Sequence, residues 1–301
     1  MKKIFNFILL LIIIIQNAYA VIKGKDSSLT LLSKTSIFKY DNIKDLIVFG
    51  DSLSSVNTNF SDMTYNIKGI SEGEKWPIHL AKANGMKLWN YAVSGAVADF
   101  KIIPRKFFNT SYIDEYQMFL DRMSKGKKFD SWDGQSSLFA IWLGCNEIRC
   151  IKHTQEVQKV YNTAINIIFD KIEGMYKVGA RNFLILNIPP LDKAPLKEDQ
   201  NYNYYRYDIF YYNEKLSEYA NNFFYRHPDT NIILYNANEQ YNYVLLNYQE
   251  FGLFTGNTPW TVGRRYGLSR YFWFDNFHPT FRGHQIIADD ITVLLKSLNK
   301  K

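Results

Sequence analysis

Leu46-Ile47-Val48-Phe49-Gly50-Asp51-Ser52-Leu53 reads as a short apolar strand that runs straight into a turn. Four consecutive apolar residues fit a strand buried on both faces, and Gly-Asp-Ser chemistry marks the loop where it stops. Similar short runs recur at 88–91, 137–143, 183–188 and 232–235, giving five strands. Segments with helical spacing lie between them at 76–84, 112–123, 154–178 and 209–225, and a last one follows at 282–298. Alternating strands and helices predict right-handed crossovers, a parallel sheet and helices on both faces, so the expected fold is a three-layer α/β/α sandwich around five parallel strands. Ligands bind such sheets at the carboxyl ends of the strands. Ser52, Gly95 and Asn146 follow the first three strands in turn, which brings three loops to one edge.

More than two hundred residues away stands Asp275-Asn276-Phe277-His278-Pro279. A serine hydroxyl is a weak nucleophile at neutral pH; it needs a base, and the base needs a partner that fixes its tautomer. The chain has five histidines, and only His278 has an acid three residues before it; His79, His153, His227 and His284 have Trp76, Cys150, Phe224 and Phe281 there. Ser52, His278 and Asp275 are therefore the candidate nucleophile, base and orienting acid. Acyl transfer also needs donors aimed at a developing oxyanion, and the N–H of Ser52, Gly95 and the side chain of Asn146 fit those roles. Asp51 reads as structural. Trp273 and Phe274 flank the acid and are candidates for lining an acyl or sugar pocket, with packing as the alternative.

Gly50-Asp51-Ser52-Leu53, Asn90-Tyr91-Ala92-Val93-Ser94-Gly95-Ala96, Gly144-Cys145-Asn146-Glu147 and Asp275-Asn276-Phe277-His278-Pro279 resemble, in order, the four motif blocks of the SGNH or GDSL hydrolases. The resemblance runs from about residue 45 to 295. Phe49 to Ser54, Ala180-Arg181-Asn182-Phe183 with Pro189-Pro190-Leu191-Asp192, and Tyr271 to Asp275 are similar to the secreted fungal GDSL esterases, among them carbohydrate acetylesterases of the carbohydrate esterase family 16 type. It implies a flavodoxin-like sandwich and the triad Ser52, His278 and Asp275. Ser52, Gly95 and Asn146 carry over as the oxyanion hole. It further implies an acyl-enzyme intermediate and no metal or organic cofactor. Two positions depart from the family pattern: Glu147 stands where the third block usually has Asp, and Ser55 where an Asp commonly follows the first block. The substrates expected are small esters or acetylated oligo- and polysaccharides. A lipase, phospholipase or acyltransferase on longer chains is the enzymatic alternative, and a silent carbohydrate-binding or surface protein the non-enzymatic one.

Residues 1–20 read as a signal peptide: Lys2 and Lys3, an apolar run from Ile4 to Ile15, then Ala18-Tyr19-Ala20 as the cleavage site. The run is short for a bilayer span of roughly 20 residues. A secreted monomer with no lasting membrane insertion is the expectation. Loss of the leader lowers the formal charge from +7 to +5, and the cations are scattered among acids, so no nucleic-acid partner is inferred. Residues 21–42 read as a polar, unpatterned lead-in and 43–301 as one hydrolase domain. The 22 Tyr and 22 Phe invite sugar stacking, but a chain also rich in Lys, Asn and Ile has the composition of an AT-biased coding sequence. Cys145 and Cys150 are an even pair in an exported chain, which suggests a small disulfide loop, with free thiols as the alternative; a metal site lacks partners at ligand spacing. Asn59-Phe60-Ser61 and Asn109-Thr110-Ser111 are N-glycosylation sequons.

Overall fold

The computed structural model describes residues 21–67 and 72–300, so residues 1–20, with the expected signal peptide, lie outside the described residues. Among the described residues there are eight strands, β1 (Leu29–Leu31), β2 (Asp45–Gly50), β3 (Thr58–Asn59), β4 (Thr64–Tyr65), β5 (Lys87–Asn90), β6 (Ser137–Trp142), β7 (Asn182–Leu186) and β8 (Asn231–Tyr235). Six form one sheet in the order β1-β8-β7-β6-β2-β5, and β3 pairs with β4 in a small hairpin. All five expected strands are present and parallel to one another. Every residue of β6, β7 and β8 is buried, as a parallel sheet covered on both faces demands.

The sheet also has a sixth strand, which corrects the five-stranded expectation. β1 comes from the lead-in and runs antiparallel to β8, with Leu29 opposite Leu234 and Leu31 opposite Ile232. Leu-Thr-Leu is too short and too evenly half-buried to leave an alternating signature. The lead-in is also pinned by its backbone: Gly24 N–H donates to Gln240 Oε1 at 3.0 Å and Lys25 N–H to Asp290 Oδ2 at 2.7 Å.

The helices are α1 (Gly24–Ser27), α2 (Trp76–Ala83), α3 (Tyr112–Met123), α4 (Cys145–Cys150), α5 (Val157–Lys177), α6 (Tyr205–Arg226), α7 (Ala237–Leu246), α8 (Trp260–Gly263) and α9 (Phe281–Ser297). They pack as two groups, α1, α2, α7 and α9 together and α3, α5 and α6 together, and complete the three layers. Their starts follow local chemistry. Ser111 and Asp114 form a reciprocal capping box for α3, Thr280 Oγ1 accepts the N–H of Gly283 at the start of α9, and Pro77 sits in the first turn of α2. No helix among the described residues is long and apolar enough to cross a membrane.

Candidate active site

The first three motif loops leave the carboxyl ends of β2, β5 and β6, the fourth precedes α9, and the first is forced by sterics. Gly50 has φ +149°, and a Cβ there would lie 2.4 Å from the carbonyl oxygen of Trp142. Only glycine lets β2 end so close to β6. The turn that follows is closed by Asp51, whose Oδ1 accepts the N–H of Leu53 at 2.9 Å, and Ser52 emerges at its tip.

Ser52 Oγ lies 2.8 Å from His278 Nε2, and His278 Nδ1 lies 2.9 Å from Asp275 Oδ2. Asp275 Oδ1 also accepts the N–H groups of Phe277 and His278, at 2.8 and 2.7 Å. Burial alone would raise this carboxyl; the hydrogen bond and charge of His278, helped by the two N–H donors, outweigh it and lower the group to about 2. An ionised Asp275 accepts a hydrogen bond from Nδ1–H, which leaves Nε2 as an acceptor facing the serine.

Gly95 and Asn146 stand on the same edge. Gly95 has φ +86°, and an added Cβ would meet the ring of Phe108 at 2.0 Å, so the position is closed to any side chain twice over. Asn146 is buried; its Nδ2 donates to the carbonyl of Ala96 at 2.9 Å and, more weakly, to Asp51 Oδ2 at 3.3 Å. Burial raises the Asp51 carboxyl to about 6.

A cleft of about 330 Å³ holds Ser52, Gly95, Asn146 and His278, and Glu72, Lys75, Arg105, Phe108 and Arg149 also line it. Trp273 and Phe274 do not, which corrects that expectation. Trp273 is buried among Tyr241 and Phe272 and donates its Nε1–H to Gly256, while Phe274 stacks on Trp260 at 5.8 Å. A larger groove of about 1450 Å³, between α6, α7 and the residues before β1, contains no residue of the four motif loops.

The cysteines are free, another correction. They open and close α4, so their Cα atoms are separated by five helical residues, a rise of about 7.5 Å, and point roughly 140° apart around the axis. No disulfide spans that. Asn59 and Asn109 are both exposed.

Three further residues build the site, and two of them, Lys75 and Glu115, had not marked themselves in the sequence. Lys75, almost fully buried, donates from Nζ to the backbone carbonyl of Ser52. Glu115, reaching in from α3, accepts the N–H of Gly50 at 2.9 Å and of Val93 at 3.0 Å, tying the first motif loop to the second. Glu147 accepts the N–H of Ala98 at 2.7 Å and ties the second loop to α4. The departure at position 147 therefore keeps a loop-holding acid.

Burial lifts the Glu147 carboxyl from 4.5 to about 7, against the pull of the Ala98 N–H. The folded state thus holds a proton that the unfolded chain releases, and stability is lost as pH rises from about 4.5 to about 7. Glu147→Gln keeps an acceptor for Ala98 and has nothing to ionise. Thermal melts are expected to place this variant above the wild type at pH 8, by on the order of 1–3 kcal/mol, and to bring the two together near pH 4.5.

Fold and site together define an α/β-sandwich hydrolase. The chain belongs to the GDSL-like lipase/acylhydrolase family, which matches residues 46–291, and it is a carboxylic ester hydrolase. It is similar to an acetylesterase of Thermothelomyces thermophilus, 22% identical over 267 residues that cover 82% of this chain and 87% of the relative. An acetylesterase of Hypocrea jecorina is 26% identical over 186 residues, 54% of this chain and 53% of that one. A thermolabile hemolysin of Vibrio parahaemolyticus is 22% identical over 290 residues, 86% of this chain and 66% of that one. Among solved structures, LAE5, an alpha/beta hydrolase enzyme from the metagenome of Lake Arreo, shares the fold, with a TM-score of 0.50 at 14% identity, covering 88% of this chain and 100% of the other.

Proposed function

We propose that the protein is an exported serine esterase for short acyl groups, acetyl esters of carbohydrates above all, with Ser52, His278 and Asp275 as its triad. The observation that carries this reading is the unbroken relay of 2.8 and 2.9 Å from Ser52 through His278 to Asp275. Ser52 attacks the acyl carbon as His278 Nε2 takes its proton, and Asp275 steadies the imidazolium that results. The oxyanion is received by the backbone of Ser52 and Gly95 and by Asn146, whose 3.3 Å bond to Asp51 is the weaker of its two and the one to be exchanged. His278 returns the proton to the leaving alcohol, then activates the water that frees the acid from Ser52. The two acetylesterase relatives support the acyl preference. Export follows from the reading of residues 1–20, and the exposed Asn59 and Asn109 suit glycosylation in a eukaryotic secretory route.

A panel of acetylated sugars, short aryl esters and long-chain lipid esters tests the substrate reading. Faster turnover of the lipids would overturn it in favour of a lipase. The cleft points to one residue as a gauge of acyl size, since the Phe108 ring lies directly against Gly95. Phe108→Ala is expected to raise the butyrate-to-acetate ratio of kcat/KM by about tenfold, the worth of roughly two methylene groups in part-buried contact. An unchanged ratio would place the acyl group elsewhere.

A further inference from the structure

The cleft is more cationic than ester hydrolysis requires. Among its described lining residues Lys75, Arg105 and Arg149 are positive, and Glu72 is the one carboxylate. Lys75 is paired with Glu72 at 3.8 Å and Arg149 with Asp199 at 3.7 Å. Arg105 has no carboxylate within ion-pair distance among the described residues; it donates from Nη1 to the Gly95 carbonyl at 2.6 Å, and its guanidinium lies 4.1 Å from the centre of the Phe108 ring. A guanidinium has five N–H donors in a planar fork, so most of that fork remains available to a flat anion. Arg149 lines the same cleft and rests on Phe277, the neighbour of His278, at 4.4 Å; its buried Nε faces Asp199 without a hydrogen bond. Of the acids near these cations, Glu147 is raised by burial to about 7 and so is only partly ionised at neutral pH.

We infer that the cleft selects esters whose alcohol half carries a carboxylate, held by Arg105 and Arg149: O-acetylated sugar acids, such as the uronic-acid units of an acidic polysaccharide. This rests on the acetylesterase reading above and narrows it. Both arginines line the cleft that holds Ser52, and Arg105 is bonded to the Gly95 carbonyl, so a carboxylate on the same sugar ring as the acetyl ester would enter that cleft together with the acyl carbon. A neutral sugar leaves the same donors without an acceptor, and such a loss is what allows polar sites to discriminate.

The test compares O-acetylated galacturonate with its methyl ester, which is the same sugar with the charge removed, at low and high salt. Wild-type enzyme is expected to favour the acid by about tenfold in kcat/KM at low ionic strength, mainly through KM, and to lose most of that preference at 0.5 M salt, where screening shortens to roughly 4 Å. Arg105→Gln and Arg149→Gln should each bring the ratio towards one. The ratio is read within each variant, so general damage to the site cancels. A wild-type ratio near one, or a ratio untouched by both substitutions, overturns the inference and leaves the arginines as counterions for the buried acids. A phospholipid vesicle that outcompetes the sugar acid overturns it too, in favour of a phosphate headgroup. Failure to hydrolyse even p-nitrophenyl acetate refutes the esterase reading instead.

Discussion

Ser52→Ala is expected to remove hydrolysis of p-nitrophenyl acetate, with kcat/KM falling by roughly four to six decades while the melting curve stays close to wild type. The size follows from the role: without Oγ there is no acyl-enzyme, and what survives is water attack helped by the oxyanion donors. The structural cost is small because the turn does not depend on the hydroxyl. It is held by Asp51 Oδ1 on the Leu53 N–H, by Lys75 on the Ser52 carbonyl and by Glu115 on the Gly50 N–H. A fluorophosphonate probe should label the wild type and leave the variant untouched. Retained turnover or labelling would sink the assignment of the nucleophile.

Asp275→Asn is the second large effect, about four decades in kcat at neutral pH. An asparagine carbonyl in place of Oδ1 can still accept the N–H groups of Phe277 and His278, so the loop should keep its shape. The change falls on Oδ2. An amide nitrogen facing His278 Nδ1 asks the imidazole for a lone pair there, which moves the ring proton to Nε2, where it can no longer take the proton of Ser52. The imidazolium also loses its counter-charge. Normal substrate binding with collapsed kcat, together with reduced probe labelling, is the signature to look for. A loss of less than tenfold would mean that Asp275 only shapes the loop.

Much of the catalytic edge was legible because its information is local. Gly-Asp-Ser after an apolar run, Asn-Glu after a glycine and Asp-x-x-His each fit within a few residues, and the strands that deliver them are buried on both faces and therefore uninterrupted in hydrophobicity. The missed parts depend on what meets what. Lys75 and Glu115 look like ordinary charges on α2's approach and on α3's first turn; only folding aims them at the Ser52 carbonyl and at the Gly50 and Val93 amides. Trp273 was misplaced because nearness in sequence to Asp275 does not fix direction, and its ring packs against Tyr241 and Phe272 instead of lining the cleft. The two cysteines misled because spacing that closes a loop in coil is held apart by one and a half turns of helix. The first strand escaped because three residues of Leu-Thr-Leu carry no period to read.

That first strand bears on how the molecule comes to life. β1 pairs with β8 about two hundred positions further along, and the sheet order places strands from both ends of the chain beside each other. Ser52 waits for His278 across 226 residues. Contacts of such range pay their loop-closure entropy late, so long-range parallel sheets assemble slowly. During refolding, helical signal should therefore return well before ester turnover does, and the hydrolytic reaction itself becomes a clock that starts only when both ends of the chain have met.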